Sequence, residues 1–251
     1  IEETTRMSTI NIPIQQIKKV PALFGEVDVL KVLQLLPGVK SGGEGSSGLY
    51  VRGGGPDQNL ILLDGAPIYN ASHLFGFFST FNADAIKTVE LTKGGFPARY
   101  GGSLSFVIDI NMKEGNMRKY NVEGSIGLIS SKILIEGPIT KGKTSFIVTA
   151  RRTYIDKLTR PIVRAITRGE GDGGYYFYDL NLKVNHKISD KDRVFLSLYN
   201  GLDNFSFKTG GQFTGDVSYG GYLKWGNTIG SARWNHLFNS RLFCNTSVTY
   251  T

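Results

Sequence analysis

The sequence holds a single cysteine, Cys244, so neither an internal disulfide framework nor a cysteine-rich metal site is available to it. Its three histidines, at 73, 186 and 236, lie too far apart for their spacing to suggest zinc. No run of about 18 or more apolar residues occurs, which removes a transmembrane helix. It does not remove a β-barrel, whose strands are short and only half apolar. A charged segment followed by an apolar one is missing from the start, so a chain that is cytosolic or already processed is expected. No Ser-His-Asp set, carboxylate dyad or metal cluster can be assembled, so no catalysis, cofactor or metal is expected.

Glycine and aromatic residues are plentiful instead. The 251 residues include 32 Gly, 12 Tyr and 15 Phe, a mix that suits many strands, many turns and large apolar faces. That length fits one large domain or two ordinary ones. The formal charge of +8 fits nucleic acid, anionic lipid headgroups or acidic ligands without choosing among them.

Two glycine motifs invite a nucleotide. Gly137 to Thr144, "GPITKGKT", fits the phosphate-cradling G-x-x-x-x-G-K-[ST] loop, and "LILLDG" (60–65) resembles the strand whose Asp holds Mg²⁺. A working loop of this kind needs a helix after the Lys-Thr. Here "TSFIVTARR" follows, with the β-branched content and period of a strand, so a hairpin turn at Gly142 is expected. The Asp64 strand also precedes the loop, the reverse of the usual order. "GEGSSG" (43–48) fits G-x-G-x-x-G but likewise leads into a strand, "LYVRG".

The texture changes near residue 119. Before it, "EVDVLKVLQLLPGV" sets Val29, Val32, Leu33 and Leu36 at helical spacing, stopped by Pro37-Gly38. "GLYVRG", "NLILLDG", "TVELTKGG" and "SFVIDINMK" read as strands, and 81–87 as a helical turn. This predicts a small α/β domain. After 119, period-2 segments dominate. In "YFYDLNLKVNHKI", Tyr176, Tyr178, Leu180, Leu182, Val184 and Ile188 share one face, interrupted by His186. Asp179, Asn181, Lys183, Asn185 and Lys187 share the other. About seven strands are expected, at roughly 120–129, 131–139, 143–153, 175–188, 192–207, 221–238 and 240–251. Tight links at 140–142, 189–191 and 239–240 contrast with long ones at 154–174 and 208–220, the habit of outer-membrane barrels. The short link near Ser130 departs from that pattern. A soluble α/β domain followed by a β-sandwich gives the same alternation, and a detergent requirement separates the two.

The first zone resembles the plug of TonB-dependent outer-membrane receptors. "VLKVLQLLPGV" resembles its opening helix and "LYVRGGGPDQNLILLDGAPIYN" its Arg-Gly and Asp-Gly-x-Pro strands. "AIKTVELTKGGFPARYGGSLSFVIDINMK" resembles its closing segment. Together they span about 20–113 in the family's order. The fold implied is an α+β plug followed by antiparallel transmembrane β-barrel strands, within a barrel of about 22 strands. The divisions implied are a linker at 1–19 after the TonB-contacting segment, the plug at 20–118, and the first part of the barrel at 119–251. Seven strands cannot close around such a plug, because barrels of about eight are filled by their own side chains. An open sheet in lipid would also leave backbone groups unpaired. The expectation is therefore that the working barrel has further strands.

The resemblance also implies energised import of a scarce nutrient across the outer membrane of a Gram-negative bacterium. TonB would contact the N-terminal segment from the periplasm by strand addition. Lipopolysaccharide and outer-membrane lipid are the expected surroundings, a surface lipoprotein is left open, and no nucleic acid is expected. Two plug loops are implied to meet ligand: 41–48, with Ser46 and Ser47, and 69–78, with Tyr69, Asn70, His73 and Phe75. The alternative for the second loop is Phe packing against the wall, with His73 on a backbone carbonyl. Arg52 and Asp64 are candidate latches against the wall, or else a static pair. Arg160, Arg164 and Arg168, at i, i+4 and i+8, would form one basic helical face toward lipopolysaccharide phosphates or an acidic ligand, or else a solvated one. Tyr175, Tyr176 and Tyr178 are expected in an interfacial aromatic girdle.

Overall fold

The computed structural model describes residues 9–20, 26–43, 48–51, 53–97, 100–101, 105–210 and 218–251. In chain order the plug contains β1 (Thr9–Pro13), α1 (Ile14–Ile17), α2 (Val29–Gln34), β2 (Val39–Ser41), β3 (Leu49–Val51), β4 (Asn59–Leu63), β5 (Ala66–Pro67), β6 (Ser72–His73), β7 (Phe78–Ser79), β8 (Ile86–Thr92) and β9 (Phe106–Met112). The wall contains β10 (Asn121–Ile126), β11 (Ser130–Thr140), β12 (Thr144–Thr153), α3 (Ile155–Ile166), β13 (Asp172–Lys187), β14 (Asp192–Thr209), β15 (Tyr219–Asn239) and β16 (Leu242–Tyr250).

The plug is built on a five-stranded sheet in the order β1-β8-β9-β4-β5. Central β9 reads FVIDINM and is buried along most of its length, as an apolar strand between two neighbours requires. β4 runs parallel to it, Ile61 opposite Ile108. β4 turns back into β5 through Asp64 (φ 50) and Gly65 (φ 83), the two positive φ values of a tight hairpin that Asp-Gly favours. α2 starts where the Asp28 carboxylate accepts from Lys31 N–H at 3.0 Å, and the chain turns after it at Gly38 (φ 79). Its apolar face, Val29, Leu30 and Leu33, packs with Ile17, Val89, Ile108 and Ile110. Tyr199 and Ile229 of the wall belong to the same cluster, so the plug core continues into the wall.

Two details differ from the sequence expectation. Residues 9–13, expected within a linker, pair with β8 from Thr9–Thr92 to Pro13–Thr88, and Ile14 and Ile17 of α1 are buried. The stretch 81–87 makes a turn over 83–85 and then enters β8 rather than a helix. Ala85 and Ile86 are buried there and Lys113 N–H donates to Ala85 O, so sheet pairing wins over local helical spacing.

The wall is a seven-stranded antiparallel meander in sequence order, β10 to β16. Gly142 (φ 74) turns the β11–β12 hairpin, and strand rather than helix follows Thr144, so the phosphate-loop match is a turn. The β10–β11 link is brief because Tyr154 braces it: its N–H donates to Ile129 O and its hydroxyl to Gly127 O.

The wall's burial is inverted relative to a soluble sheet. On β13, Asp179 and Lys183 are each 1% exposed, whereas Leu180 is 39% exposed. On β14, Asp203 is buried and Leu196 is 52% exposed. The polar side chains face the plug and the apolar ones face outward, the arrangement of a sheet whose outer solvent is hydrocarbon.

Candidate functional site

The site is the seam between plug and wall, and β13 is its spine. Inward residues of a strand recur every second position, so Tyr175, Asp179 and Lys183 point at the plug from three successive heights.

At the lowest height, Lys183 Nζ donates to Asp64 Oδ1 at 2.8 Å and to Met112 O at 3.2 Å. Asp64 also accepts from Met112 N–H at 3.1 Å, from Ser197 Oγ at 2.6 Å and, at its carbonyl, from Ser231 Oγ at 3.1 Å. The Asp64 carboxylate thus gathers β9, β13 and β14, and the Asp64 carbonyl adds β15. The tight turn at Asp64-Gly65 is what brings that side chain to the wall.

At the middle height, His73 lies between two wall carboxylates. Its Nε2 is 2.7 Å from Asp179 Oδ1 and its Nδ1 is 2.7 Å from Asp203 Oδ2. The ring stacks on Phe177 at 4.0 Å with an interplanar angle of 5°. Arg151 of β12 binds Asp179 through Nε at 2.8 Å, donates to Ser79 O at 2.8 Å, and lies 3.7 Å from Glu26. Tyr199 donates to Asp179 at 2.7 Å. Burial disfavours the imidazolium, but the Asp179 charge and hydrogen bonds to Asp179 and Asp203 outweigh it, so the His73 pKa is raised. With His73 protonated, Arg151 and His73 face Asp179, Asp203 and Glu26. A neutral His73 would leave that group more negative.

At the upper height, Leu74 N–H donates to Tyr175 Oη at 2.7 Å and to Asp203 Oδ1 at 3.1 Å, and Tyr175 donates to the same carboxylate. Leu74 (φ 48) and Phe75 (φ 54) are held in the left-handed region by these clamps. Nearby, Asn227 of β15 grips the Asn70 backbone, donating to its carbonyl at 2.7 Å. Away from β13, Asp84 of the plug binds Lys132 of the wall at 2.8 Å and Lys18 at 2.5 Å. Desolvation would raise the Asp84 pKa, but the two lysines win and lower it.

Buried ion pairs thus tie the plug to an inside-out wall. The profile of the TonB-dependent Receptor Plug Domain family matches residues 2–105. The ferrienterobactin receptor of Escherichia coli is 31% identical over 107 residues, 36% of this chain and 14% of that protein. A probable TonB-dependent siderophore receptor, PirA of Acinetobacter baumannii, is 24% identical over 220 residues, 75% of this chain and 28% of that protein. Among solved structures, FpvA of P. aeruginosa covers 99% of this chain at 15% identity with a TM-score of 0.63, and this chain spans 34% of it. Residues 2–105 thus match the plug of TonB-dependent receptors, and the chain as a whole shares the fold of the plug and part of the barrel of the solved receptors. It spans well under half the length of these relatives.

Of the two expected ligand loops, only the second is described throughout. Ser46 and Ser47 lie outside the described residues, as does Arg52. Beside that first loop, an open cavity of about 540 Å³ is lined by Gly38, Lys40, Ser41, Gly42, Tyr50 and Gly53. In the second loop, Tyr69 and Phe75 are exposed, and Phe75 meets Trp225 with ring centroids 5.0 Å apart. His73 was expected to offer a ring nitrogen to ligand or to meet a backbone carbonyl. It does neither, because both nitrogens are taken by wall carboxylates. Asp64, a candidate latch against the wall or else half of a static pair with Arg52, contacts Lys183 of the wall.

Two further expectations are corrected. Arg160 and Arg164 both turn to Asp172, at 3.8 and 2.9 Å, and Arg168 (φ 52) lies beyond the end of α3, so the three do not form one basic helical face. Tyr175 faces the plug, opposite to Tyr176 and Tyr178, because adjacent residues of a strand alternate sides. Sequence reasoning missed Lys183, Arg151, Asp179 and Asp203 as site residues. The wet face of β13 was the available signal for two of them.

Proposed function

We propose that the protein is an outer-membrane receptor that imports a scarce nutrient into the periplasm, energised by TonB acting on the plug. Cargo would bind at the outer end of the plug, where Phe75 meets Trp225 and Asn70 meets Asn227 of the wall and Tyr69 is exposed, with Ser46 and Ser47 as further candidate ligand residues. TonB would take the segment preceding β1 by strand addition. A pull there reaches β1 first, the edge strand of the plug sheet, and beyond it the buried ties at Asp64 and His73. The chain itself carries no catalytic step in this reading, since the energy is delivered by TonB.

The observation that carries the proposal is the seam: charges buried between a plug and a wall are costly to separate one partner at a time, so they hold the plug until work is done on it. The cargo class we favour is a ferric siderophore, supported by what the E. coli and A. baumannii relatives are named for. The test is radio-iron uptake from ferric enterobactin by cells whose only siderophore receptor is the full-length form of this protein. Uptake that vanishes without TonB is expected. Uptake indifferent to TonB would overturn energised import, and binding of a non-iron nutrient alone would overturn the cargo class.

A further inference from the structure

Helix α3 is amphipathic the wrong way round for a helix in water. Its charged side turns toward the wall. A Cβ placed on Gly174 would meet Asp156 Cβ and Arg160 Nε at 3.0 Å, so these two side chains lie against that glycine. Tyr175 and Phe177 point into the seam, so Gly174 and Tyr176 point out of the barrel, and α3 lies on the outer surface of the wall. Arg152, stacked over the Tyr176 ring at 4.9 Å, reaches Asp156 at 4.0 Å on the same outer side. Polar atoms of Asp156, Arg160 and Asp172 are shielded from water beneath the helix.

The other side of α3 is apolar and, among the described residues, largely uncovered beyond Ile155, which packs at the rim near Tyr175 and Phe177. Leu158, Ile162 and Ile166 recur at i, i+4 and i+8 and are 45%, 59% and 77% exposed. Pro161 and Ala165 extend the same side. Two observations say what covers it. The stripe continues the lipid-facing surface of the wall, where Leu180, Leu196 and Leu198 are also bare. It also sits at the outer rim beside Tyr176 and Tyr178, above an outward face running from His186 to Tyr176, about 10 residues or, allowing for strand tilt, about 25 Å of wall. Arg152, Lys157 and Arg168, on the helix or flanking it, are exposed.

We propose that α3 is an interfacial helix that seats Leu158, Ile162 and Ile166 among the acyl chains of the outer leaflet, near the headgroups, while its charged side clasps the wall. Such a helix lies in the membrane plane and anchors the loop between β12 and β13 to the bilayer surface. The inference concerns the membrane and does not depend on the cargo or on TonB.

The test uses the full-length receptor with Cys244→Ser, reconstituted in phosphatidylcholine vesicles that carry nitroxide-labelled phosphatidylcholine. A polarity-sensitive fluorophore is attached at Ile162→Cys, with Lys141→Cys in a hairpin turn as the water reference and Leu198→Cys on the wall as the lipid reference. The expected result is blue-shifted emission at 162, quenched more by a nitroxide near the headgroup than by one deep in the acyl chain, with the order reversed at 198. Emission at 162 that matches the water reference overturns the proposal. So does blue-shifted emission that neither nitroxide quenches, since a protein partner or a second copy would then cover the stripe.

Discussion

Lys183 of the wall and Asp64 of the plug meet at 2.8 Å with both side chains almost wholly out of water. Removing one member of such a pair strands the other, at about 3–5 kcal/mol. Asp64 keeps Met112 N–H and Ser197 Oγ, which places Lys183→Met at the low end, about 3 kcal/mol. Asp64→Asn combined with Lys183→Met leaves no orphaned charge, so the double variant is expected to regain part of the loss. A double-mutant cycle on plug unfolding in urea measures this, and strict additivity would show that the two side chains are not coupled.

The His73 tie is expected to weaken in alkali. A folded pKa above the ordinary value means that the folded state holds its proton more tightly. That stabilisation is complete below about pH 6.5 and is lost as pH climbs through the folded value. The facing groups are Asp179 and Tyr175 of β13, Asp203 and Tyr199 of β14 and Arg151 of β12, with Glu26 of the plug beyond Arg151. Hydrogen exchange of residues 72–79 should therefore quicken between neutral and alkaline pH. His73→Gln should exchange faster at neutral pH and lose that dependence; an unchanged pH profile in the variant would assign the titration elsewhere.

Much of this architecture was legible because its physics is local. The alternation of β13 separates Tyr178 and Leu180 from Asp179 and Lys183, and Asp-Gly announces the turn at 64–65. Which polar residue meets which was not legible, because the partners are distant: 119 positions separate Asp64 from Lys183, and 106 separate His73 from Asp179. Face assignment at a strand's start was also hidden, which is why Tyr175 was grouped with its outward neighbours. The arginine spacing of α3 was visible, but Asp172, which claims two of them, follows a turn that no helical periodicity reaches.

Lys143 lies in a hairpin turn, and its apparent nucleotide motif has no helix to present phosphates. Lys143→Ala is expected to change stability by less than about 0.5 kcal/mol, as for other exposed substitutions. Titration of the receptor with ATP and Mg²⁺ should give no signal in either form. Nucleotide binding that disappears in the variant would contradict the turn assignment.

Gly115 joins the plug to the wall with φ 78, and a Cβ there would lie 2.3 Å from Phe146 O on β12. Gly115→Ala combines an unfavourable backbone, at about 1–2 kcal/mol, with a backbone clash that no rotamer relieves. It is expected to destabilise the plug–wall junction by more than the backbone term alone, read from the urea midpoint. A loss below about 1 kcal/mol would mean that the chain at 113–117 shifts freely.

Phe75 couples the exposed end of the plug to the buried seam. Its ring meets Trp225, while the residue before it is clamped by Tyr175 and Asp203. If cargo rests on this ring, Phe75→Ala should weaken ferric enterobactin binding about tenfold, the loss of about 1.4 kcal/mol typical of an aromatic contact. The ring is mostly in water, so the plug's urea midpoint should hardly move. Phe75→Gly should weaken binding as much yet raise stability slightly, because glycine occupies φ 54 without strain. Binding unchanged in both variants would place the cargo elsewhere, the cavity beside Lys40 and Tyr50 being the next surface to test.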